Sequence, residues 1–230
     1  MTTKLNIVLV HGAWGDGSHW RHVIPSLHAK GYRVRAVQNP LTSLADDIDR
    51  TTKLTASLDG PTLLVGHSYG GSVITGAGRL PNVVGLVYVA AWAPDEGETL
   101  GGLLGRAEPP PGAAIIRPDQ NGFLWLQQEK FRDNFCQDLD ETEALVMALS
   151  QKPIAARCFE EKSGSPAWKV KPSWYQVSAN DRMIPPDTER FFAERMNPQK
   201  TVTLQAGHAS LASQGKEIVA LIELAAASVM

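Results

Sequence analysis

Short runs of apolar residues alternate along the chain with longer segments in which apolar and polar positions recur at helical spacing. The short runs are aliphatic or β-branched at nearly every position, which is typical of parallel strands that are buried on both faces. This pattern predicts six strands, at 7–10, 33–37, 62–65, 83–90, 173–177 and 201–204.

Amphipathic segments separate these runs and predict helices at 18–30, 44–58, 69–79, 186–196 and 214–229. Strand followed by helix, repeated, indicates βαβ units. We therefore predict an α/β fold in which helices flank a mostly parallel sheet of about six strands. A length of 230 residues suits a single domain over 1–230.

One long segment, approximately 93–171, contains no clear strand pattern. Three prolines and a glycine at 109–112 indicate a loop, and 124–135 and 141–149 have helical patterns. Because open parallel sheets bind their ligands at the carboxyl ends of the strands, we expect this insertion to form a helical cap over that edge.

The sequence Gly-His-Ser-Tyr-Gly-Gly at 66–71 joins the third predicted strand to the following helix. This is the G-x-S-x-G pattern, in which a sharp turn exposes a serine hydroxyl above the sheet. Gly66 and Gly70 leave room for that turn. The alternative, a glycine-rich turn with a passive serine, rarely has both the strand and the helix around it. Ser68 is therefore the candidate nucleophile.

A serine hydroxyl needs a base to accept its proton. Of six histidines, His208 follows the last predicted strand, at the sheet edge where Ser68 is expected. Asp181 follows the preceding strand and could orient His208. Asp95 and Glu96 are the rival acids. His19, His22 and His28 are expected on a solvated helix face, and the His67 side chain is expected to point away from the elbow.

The sequence His-Gly-Ala-Trp at 11–14 follows the first strand. Backbone N–H groups of Ala13 and Tyr69 could together bind the oxygen that becomes negative during acyl transfer. A phosphate loop is the alternative interpretation of Gly12, Gly15 and Gly17. Their spacing does not match G-x-G-x-x-G, and no Lys-Ser or Lys-Thr pair follows, so that alternative is rejected.

The composition gives no indication of a charged partner. The formal net charge is −2, and basic residues are scattered rather than clustered, so neither nucleic acid nor an anionic membrane surface is favoured. Two cysteines, Cys136 and Cys158, are expected to be packed thiols. We expect a cytoplasmic protein with no metal ion or cofactor. The sequence does not distinguish a monomer from a homodimer.

Taken together, these motifs resemble those of the α/β-hydrolase superfamily over nearly the whole chain. The segment from Leu9 to Trp20 and the serine turn are most similar to the compact branch of plant methyl-ester esterases, hydroxynitrile lyases and bacterial esterases. The resemblance implies a triad of Ser68, Asp181 and His208, oxyanion donors at Ala13 and Tyr69, and a cap at about 93–171. The lyases are expected to carry a lysine where this chain has Ala209.

The predicted activity is carboxylic ester hydrolysis through an acyl-enzyme, with a small apolar or aromatic ester as the substrate. Trp14, Trp92 and Trp125 are the predicted substrate-binding side chains, within a larger apolar set that also contains Phe123, Leu126, Phe131 and Trp168. Two alternatives remain. One is lyase-like or perhydrolase chemistry on the same scaffold, and the other is a relative that binds a ligand without turnover.

Overall fold

A computed structural model describes residues 5–230. In chain order the strands are β1 (Asn6–Val10), β2 (Arg33–Ala36), β3 (Thr62–His67), β4 (Val83–Val89), β5 (Ile116–Pro118), β6 (Phe123–Leu126), β7 (Ile154–Ala155), β8 (Ser173–Ser178) and β9 (Lys200–Leu204). The α-helices are α1 (Ile24–Ala29), α2 (Leu44–Ala56), α3 (Tyr69–Ala77), α4 (Leu100–Leu104), α5 (Gln128–Phe135), α6 (Glu141–Leu149), α7 (Pro186–Met196), α8 (Ser210–Ser213) and α9 (Gly215–Ser228).

Six strands form one parallel sheet in the order β2-β1-β3-β4-β8-β9. Every residue of β1, β3 and β8 is buried, whereas the two edge strands β2 and β9 keep exposed positions. The aliphatic runs form these strands because both faces of the central part of the sheet are covered. All six strands predicted from the sequence are confirmed, as is the α/β class.

Helices flank the sheet. The α3 helix packs on β3, and both α7 and α9 pack on β8. The Ser43 hydroxyl accepts a hydrogen bond from Asp46 N at 3.0 Å and so begins α2. The α9 helix buries Ile218 and Ile222 in the core. No helix within residues 5–230 combines the length and the apolar character needed to cross a bilayer.

The helix predicted at 18–30 is wrong in its extent. The structure has a 3₁₀ turn at Gly17–Trp20, and α1 begins only at Ile24. Pro25 lies in the first turn of α1, where its missing N–H costs nothing, but it could not occupy the interior of a longer helix. The interruption turns His19 inward, so His19 is buried rather than solvated.

The insertion between β4 and β8 forms the cap, and it is not purely helical. It contains α4, α5 and α6 together with an antiparallel sheet in the order β5-β6-β7. The helix predicted at 124–135 begins only at Gln128, because Phe123–Leu126 is a strand. Gly122, at a φ of 79°, completes the turn into that strand, and its aromatic residues favour a pleated surface.

Candidate active site

Ser68 lies in the turn between β3 and α3, with a φ of 54° and a ψ of −124°. This conformation is costly for a residue with a side chain, and such strain is retained mainly at functional sites. The backbone around Ser68 is held in place, because Ser68 N donates to Val89 O at 3.2 Å and Trp92 N donates to Ser68 O at 3.1 Å. The side chain is only 4% exposed.

Glycines make room for this turn. A Cβ on Gly66 would lie 2.5 Å from the carbonyl oxygen of Gly70, and a Cβ on Gly12 would lie 2.7 Å from the Cβ of Ser68. Both distances are far below van der Waals contact, so no larger residue fits at either position without moving the backbone. Gly66 therefore permits the serine turn itself, and Gly12 permits the loop after β1 to approach Ser68.

His208 follows β9 and reaches Ser68 through its imidazole ring. Its Nε2 lies 2.8 Å from Ser68 Oγ, and its Nδ1 lies 2.6 Å from Asp181 Oδ2. Because a carboxylate only accepts hydrogen bonds, Nδ1 carries the proton and Nε2 is free to accept the serine proton. The structure thus brings together three side chains that are far apart in the sequence.

Asp181 is fixed by the loop that follows β8. Its Oδ1 accepts hydrogen bonds from Met183 N at 2.6 Å and Ile184 N at 2.9 Å. Three donors, counting His208, therefore fix the position of this carboxylate. The rival Asp95 instead pairs with Lys169 at 2.5 Å near the protein surface. Asp181, not Asp95, is the acid that contacts His208.

Two backbone N–H groups border the same site. Neither Ala13 N nor Tyr69 N donates to another group within residues 5–230, and both residues line the cavity that contains Ser68. Tyr69 N belongs to the first turn of α3, whose end carries a partial positive charge. The two groups are available to bind a negatively charged oxygen next to Ser68.

The loop after β1 is tied to the cap through Trp14. Trp14 has a φ of 58°, a left-handed conformation that is rare for a large side chain. Its indole Nε1–H donates to the carbonyl oxygen of Leu124 in β6 at 3.0 Å, and its ring packs on Phe159 with a centroid distance of 6.2 Å. The cap therefore contacts the residue that directly follows Ala13.

Buried histidines surround this arrangement. His67 Nε2–H donates to the carbonyl oxygen of His208 at 2.8 Å, and the two rings lie 4.9 Å apart. His11 Nε2 accepts from Asn39 N at 3.0 Å. Burial lowers the pKa of His11 to about 4 and that of His19 to about 3, so both are neutral near pH 7. No role for His67 or His19 was predicted from the sequence.

A narrow cavity of about 40 Å³ opens onto Ser68. Its walls are almost entirely apolar, and Ser68 and His208 are its chemically reactive side chains. None of the described residues that line it is acidic, lysine or arginine. The lining consists of Ala13, Trp14, Ser68, Tyr69, Trp92, Leu104, Pro110, Ala113, Ile116, Phe159, Met183, Ile184 and His208.

Of the three tryptophans predicted to bind substrate, Trp14 and Trp92 line this cavity, and Trp125 does not. Trp125 is 36% exposed, and its Nε1–H donates to Asp119 Oδ2 at 3.0 Å on the outer face of the cap. Adjacent residues of a strand point to opposite faces, so the buried Leu126 and Trp125 cannot face the same side. The prediction for Trp125 is corrected.

The described residues contain no group of three or more histidine, cysteine, aspartate or glutamate side chains that could hold a metal ion.

The sequence as a whole identifies the family of this chain. The sequence profile of the alpha/beta hydrolase family matches residues 7–221. This chain belongs to the alpha/beta hydrolase family.

Relatives of this alpha/beta hydrolase include a carbendazim-hydrolyzing esterase of Nocardioides sp., 37% identical over 46% of this chain and 49% of that protein. The match thus spans about half the length of that relative. Methylesterase 3 of Arabidopsis thaliana is 26% identical over 95% of both chains. The crystal structure of a pyrethroid hydrolase from Sphingobium faniae has a TM-score of 0.80 at 24% identity over 96% of both chains. The predicted superfamily and its esterase relatives are confirmed.

Several cavity residues of the alpha/beta hydrolase were missed in the sequence. Leu104, Pro110 and Ile116 come from cap segments whose path the sequence does not reveal. Met183 and Ile184 could have been found, because they lie only two and three residues after Asp181, and the structure shows their backbone N–H groups donating to it. Their side chains must therefore lie close to the site.

Proposed function

We propose that the protein is a carboxylesterase that uses Ser68 as its nucleophile. The observation that carries this proposal is the unbroken hydrogen-bond chain from Ser68 Oγ through His208 to Asp181 at the wall of an apolar cavity. A serine paired with a base, and a base paired with an orienting acid, form the arrangement that acyl transfer requires.

In the first half of the reaction, Ser68 Oγ attacks the ester carbonyl carbon while His208 Nε2 takes the hydroxyl proton. The resulting imidazolium is stabilised by Asp181, which lies 2.6 Å from Nδ1. The carbonyl oxygen becomes negative and binds the N–H groups of Ala13 and Tyr69. When the tetrahedral intermediate collapses, His208 gives its proton to the departing alcohol and Ser68 carries the acyl group.

In the second half, a water molecule takes the place of the alcohol. His208 removes a proton from the water, the hydroxide attacks the acyl carbon, and the same two N–H groups bind the oxyanion. Collapse returns the proton to Ser68 Oγ and releases the acid. The sum is one ester and one water converted to one acid and one alcohol, with the protein unchanged.

The cavity supports a neutral, apolar substrate. The acidic, lysine and arginine side chains of the described chain lie outside its lining, so an ionised substrate would lose its hydration without gaining a partner. Trp14, Trp92 and Phe159 provide flat aromatic walls. The names of the relatives, a carbendazim-hydrolyzing esterase and a methylesterase, agree with small esters as the substrate class.

The test is hydrolysis of 4-nitrophenyl acetate and butyrate by the wild-type protein and by Ser68→Ala. We expect the rate of the variant to fall by several orders of magnitude. Ser72→Ala is a matched control, because Ser72 is a buried serine on α3 whose hydroxyl has no partner within residues 5–230.

A fluorophosphonate probe should label the peptide that contains Ser68 in the wild-type protein and in Ser72→Ala, but not in Ser68→Ala. An unchanged esterase rate in Ser68→Ala would contradict the proposal. Cleavage of mandelonitrile without turnover of any ester would favour lyase chemistry instead.

A further inference from the structure

Glu189 is a carboxyl group in the core that the esterase mechanism does not use. It lies in the first turn of α7 and is fully buried. Its Oε2 accepts a hydrogen bond from Ser178 N at 2.8 Å, at the end of β8. Because Asp181 N donates to Ser178 O at 3.2 Å, the Glu189 carboxyl group is held against the turn that carries Asp181.

The second oxygen of Glu189 has no donor. Within residues 5–230, Glu189 Oε1 is buried and receives no hydrogen bond. An ionised glutamate would leave a negatively charged oxygen unpaired in the core, which is among the most costly arrangements in a protein. The Asp181 carboxylate, carried by the adjoining turn, cannot relieve this cost, because an ionised carboxylate only accepts hydrogen bonds.

The two carboxyl groups are close enough to interact directly. Burial raises the pKa of Glu189 well above its usual range, and the charge of Asp181 and a hydrogen bond with Asp181 raise it further. Arg190 opposes this shift weakly and is itself paired with Asp187 at 2.5 Å on the surface. Tyr175 of β8 is close to both acids. Its pKa is raised mainly by burial, and the charges of Glu189 and Asp181 raise it further.

We propose that Glu189 is a protonated carboxylic acid that donates its proton to the Asp181 carboxylate, and that it is a positioning residue for the Ser68–His208–Asp181 site. One proton accounts for both observations, since it gives the unpaired oxygen of Glu189 a hydrogen bond and removes the repulsion between two buried carboxylates. The positioning role rests on the proposed esterase function. The protonation state of Glu189 does not.

This hydrogen bond has a chemical consequence for His208. Asp181 already accepts from Met183 N, Ile184 N and His208 Nδ1, and the Glu189 proton adds a fourth donor. Each donor spreads the charge of Asp181 and weakens its attraction for the imidazolium. Without Glu189, Asp181 would stabilise protonated His208 more strongly, and a higher pH would be needed to obtain the neutral base.

The test compares Glu189→Gln with Glu189→Leu. A glutamine can accept from Ser178 N with its amide oxygen and donate to Asp181 with its amide nitrogen, so it reproduces the neutral acid. We expect Glu189→Gln to keep kcat/KM within about threefold and to leave the acid limb of its pH profile in place. Leucine cannot donate, and we expect about a tenfold loss with the acid limb moved to higher pH. Glu194→Leu, an exposed position on the same helix, is the control.

An ionised Glu189 predicts a different result. Glutamine would then remove a negative charge near His208, the imidazolium would be less stable, and the acid limb of Glu189→Gln would move to lower pH. That outcome would overturn the proposal. If Glu189→Leu does not fold, the glutamine variant alone distinguishes the two cases.

A second measurement does not depend on activity. Infrared spectra at pH 8, where Asp47 with its pKa of about 6 is ionised, should contain the carbonyl stretch of a protonated carboxylic acid, and Glu189→Gln should lack it. If the band is present but no ester is hydrolysed, the proposed function fails while the acid pair remains. If the band is absent while Ser68-dependent hydrolysis is observed, the acid pair fails and the esterase remains.

Discussion

The side chain of His67, next to Ser68 in the sequence, binds the loop that carries His208, because His67 Nε2–H donates to the carbonyl oxygen of His208 at 2.8 Å. A carbonyl oxygen only accepts, so this contact fixes the tautomer of His67. Burial lowers the pKa of His67 well below its usual range, which keeps this imidazole neutral beside the ring of His208. His67 thus supports the position of His208 without adding charge.

His67→Leu should impair both stability and activity. The change leaves the buried carbonyl of His208 without its donor, which costs about 1–3 kcal/mol in the free energy of unfolding, and it loosens the loop that positions the imidazole. Urea unfolding and kcat/KM measure the two effects. His67→Gln, whose amide can still donate, should recover part of both. Equal losses in the two variants would show that the hydrogen bond is not the cause.

Asp181→Asn should lower kcat by about 10⁴-fold, because an amide no longer holds Nδ1–H of His208 and the wrong tautomer faces Ser68. Asp95→Asn is the matched control, since Asp95 pairs with Lys169 away from His208. We expect that control to stay within about threefold of wild type. The rate of ester hydrolysis gives kcat for both variants. A larger loss in Asp95→Asn than in Asp181→Asn would make Asp95 the functional acid.

Trp14→Phe should lower kcat/KM about tenfold, because the ring can still pack on Phe159 but the half-buried carbonyl of Leu124 loses its donor. The loop that presents Ala13 N–H would then be less well fixed. Trp125→Phe also removes an indole donor, but from an exposed pair with Asp119, and should leave kcat/KM unchanged. Equal rates for the two variants would contradict a role of the Trp14 contact.

The buried histidines should make the protein less stable in acid. The pKa of His11 is about 4 and that of His19 about 3 in the folded protein, against 6.5 for a free imidazole. Between pH 6.5 and about 4 the unfolded chain therefore binds more protons than the folded protein. The unfolding free energy must fall as the pH falls, by about 1.4 kcal/mol per pH unit for each such histidine.

Asp47 acts in the opposite direction, because burial raises its pKa to about 6 from 3.8. Between those values the folded protein binds the additional proton, so Asp47 offsets about one histidine. The midpoints of urea unfolding at pH 7, 5.5 and 4.5 measure how steeply the unfolding free energy changes with pH. This change should be smaller in His19→Gln. The exposed His28→Gln should keep the wild-type slope. Parallel curves for wild type and His19→Gln would contradict a buried neutral His19.

The sequence predicted the features that depend on local patterns. Aliphatic runs identified the six strands, and the position of Ser68, Asp181 and His208 after three of these strands indicated one sheet edge, because parallel strands end together. Their roles as a triad, and those of Ala13 and Tyr69, stay predictions, as do the cytoplasmic location and the choice between monomer and homodimer.

The features that the sequence did not reveal depend on distant contacts. Trp14 and Trp125 were both predicted to bind substrate because they are large aromatic residues, yet strand β6 directs the side chain of Trp125 outward. His19 is buried because Pro25 interrupts the predicted helix. In the sequence, Glu189 cannot be distinguished from a surface glutamate of an amphipathic helix, and only the packing of α7 on β8 shows that it is buried. Tertiary packing decides these positions, and periodicity along the chain carries no information about it.

The indole of Trp14 binds a backbone oxygen of the cap, not a side chain. Any amino acid at position 124 presents that same oxygen, so the side chain there can vary while the contact that anchors Trp14 to the cap is preserved. A library that randomises the identity of residue 124 should therefore retain many active members, whereas deleting a residue from the strand would displace the oxygen and abolish turnover.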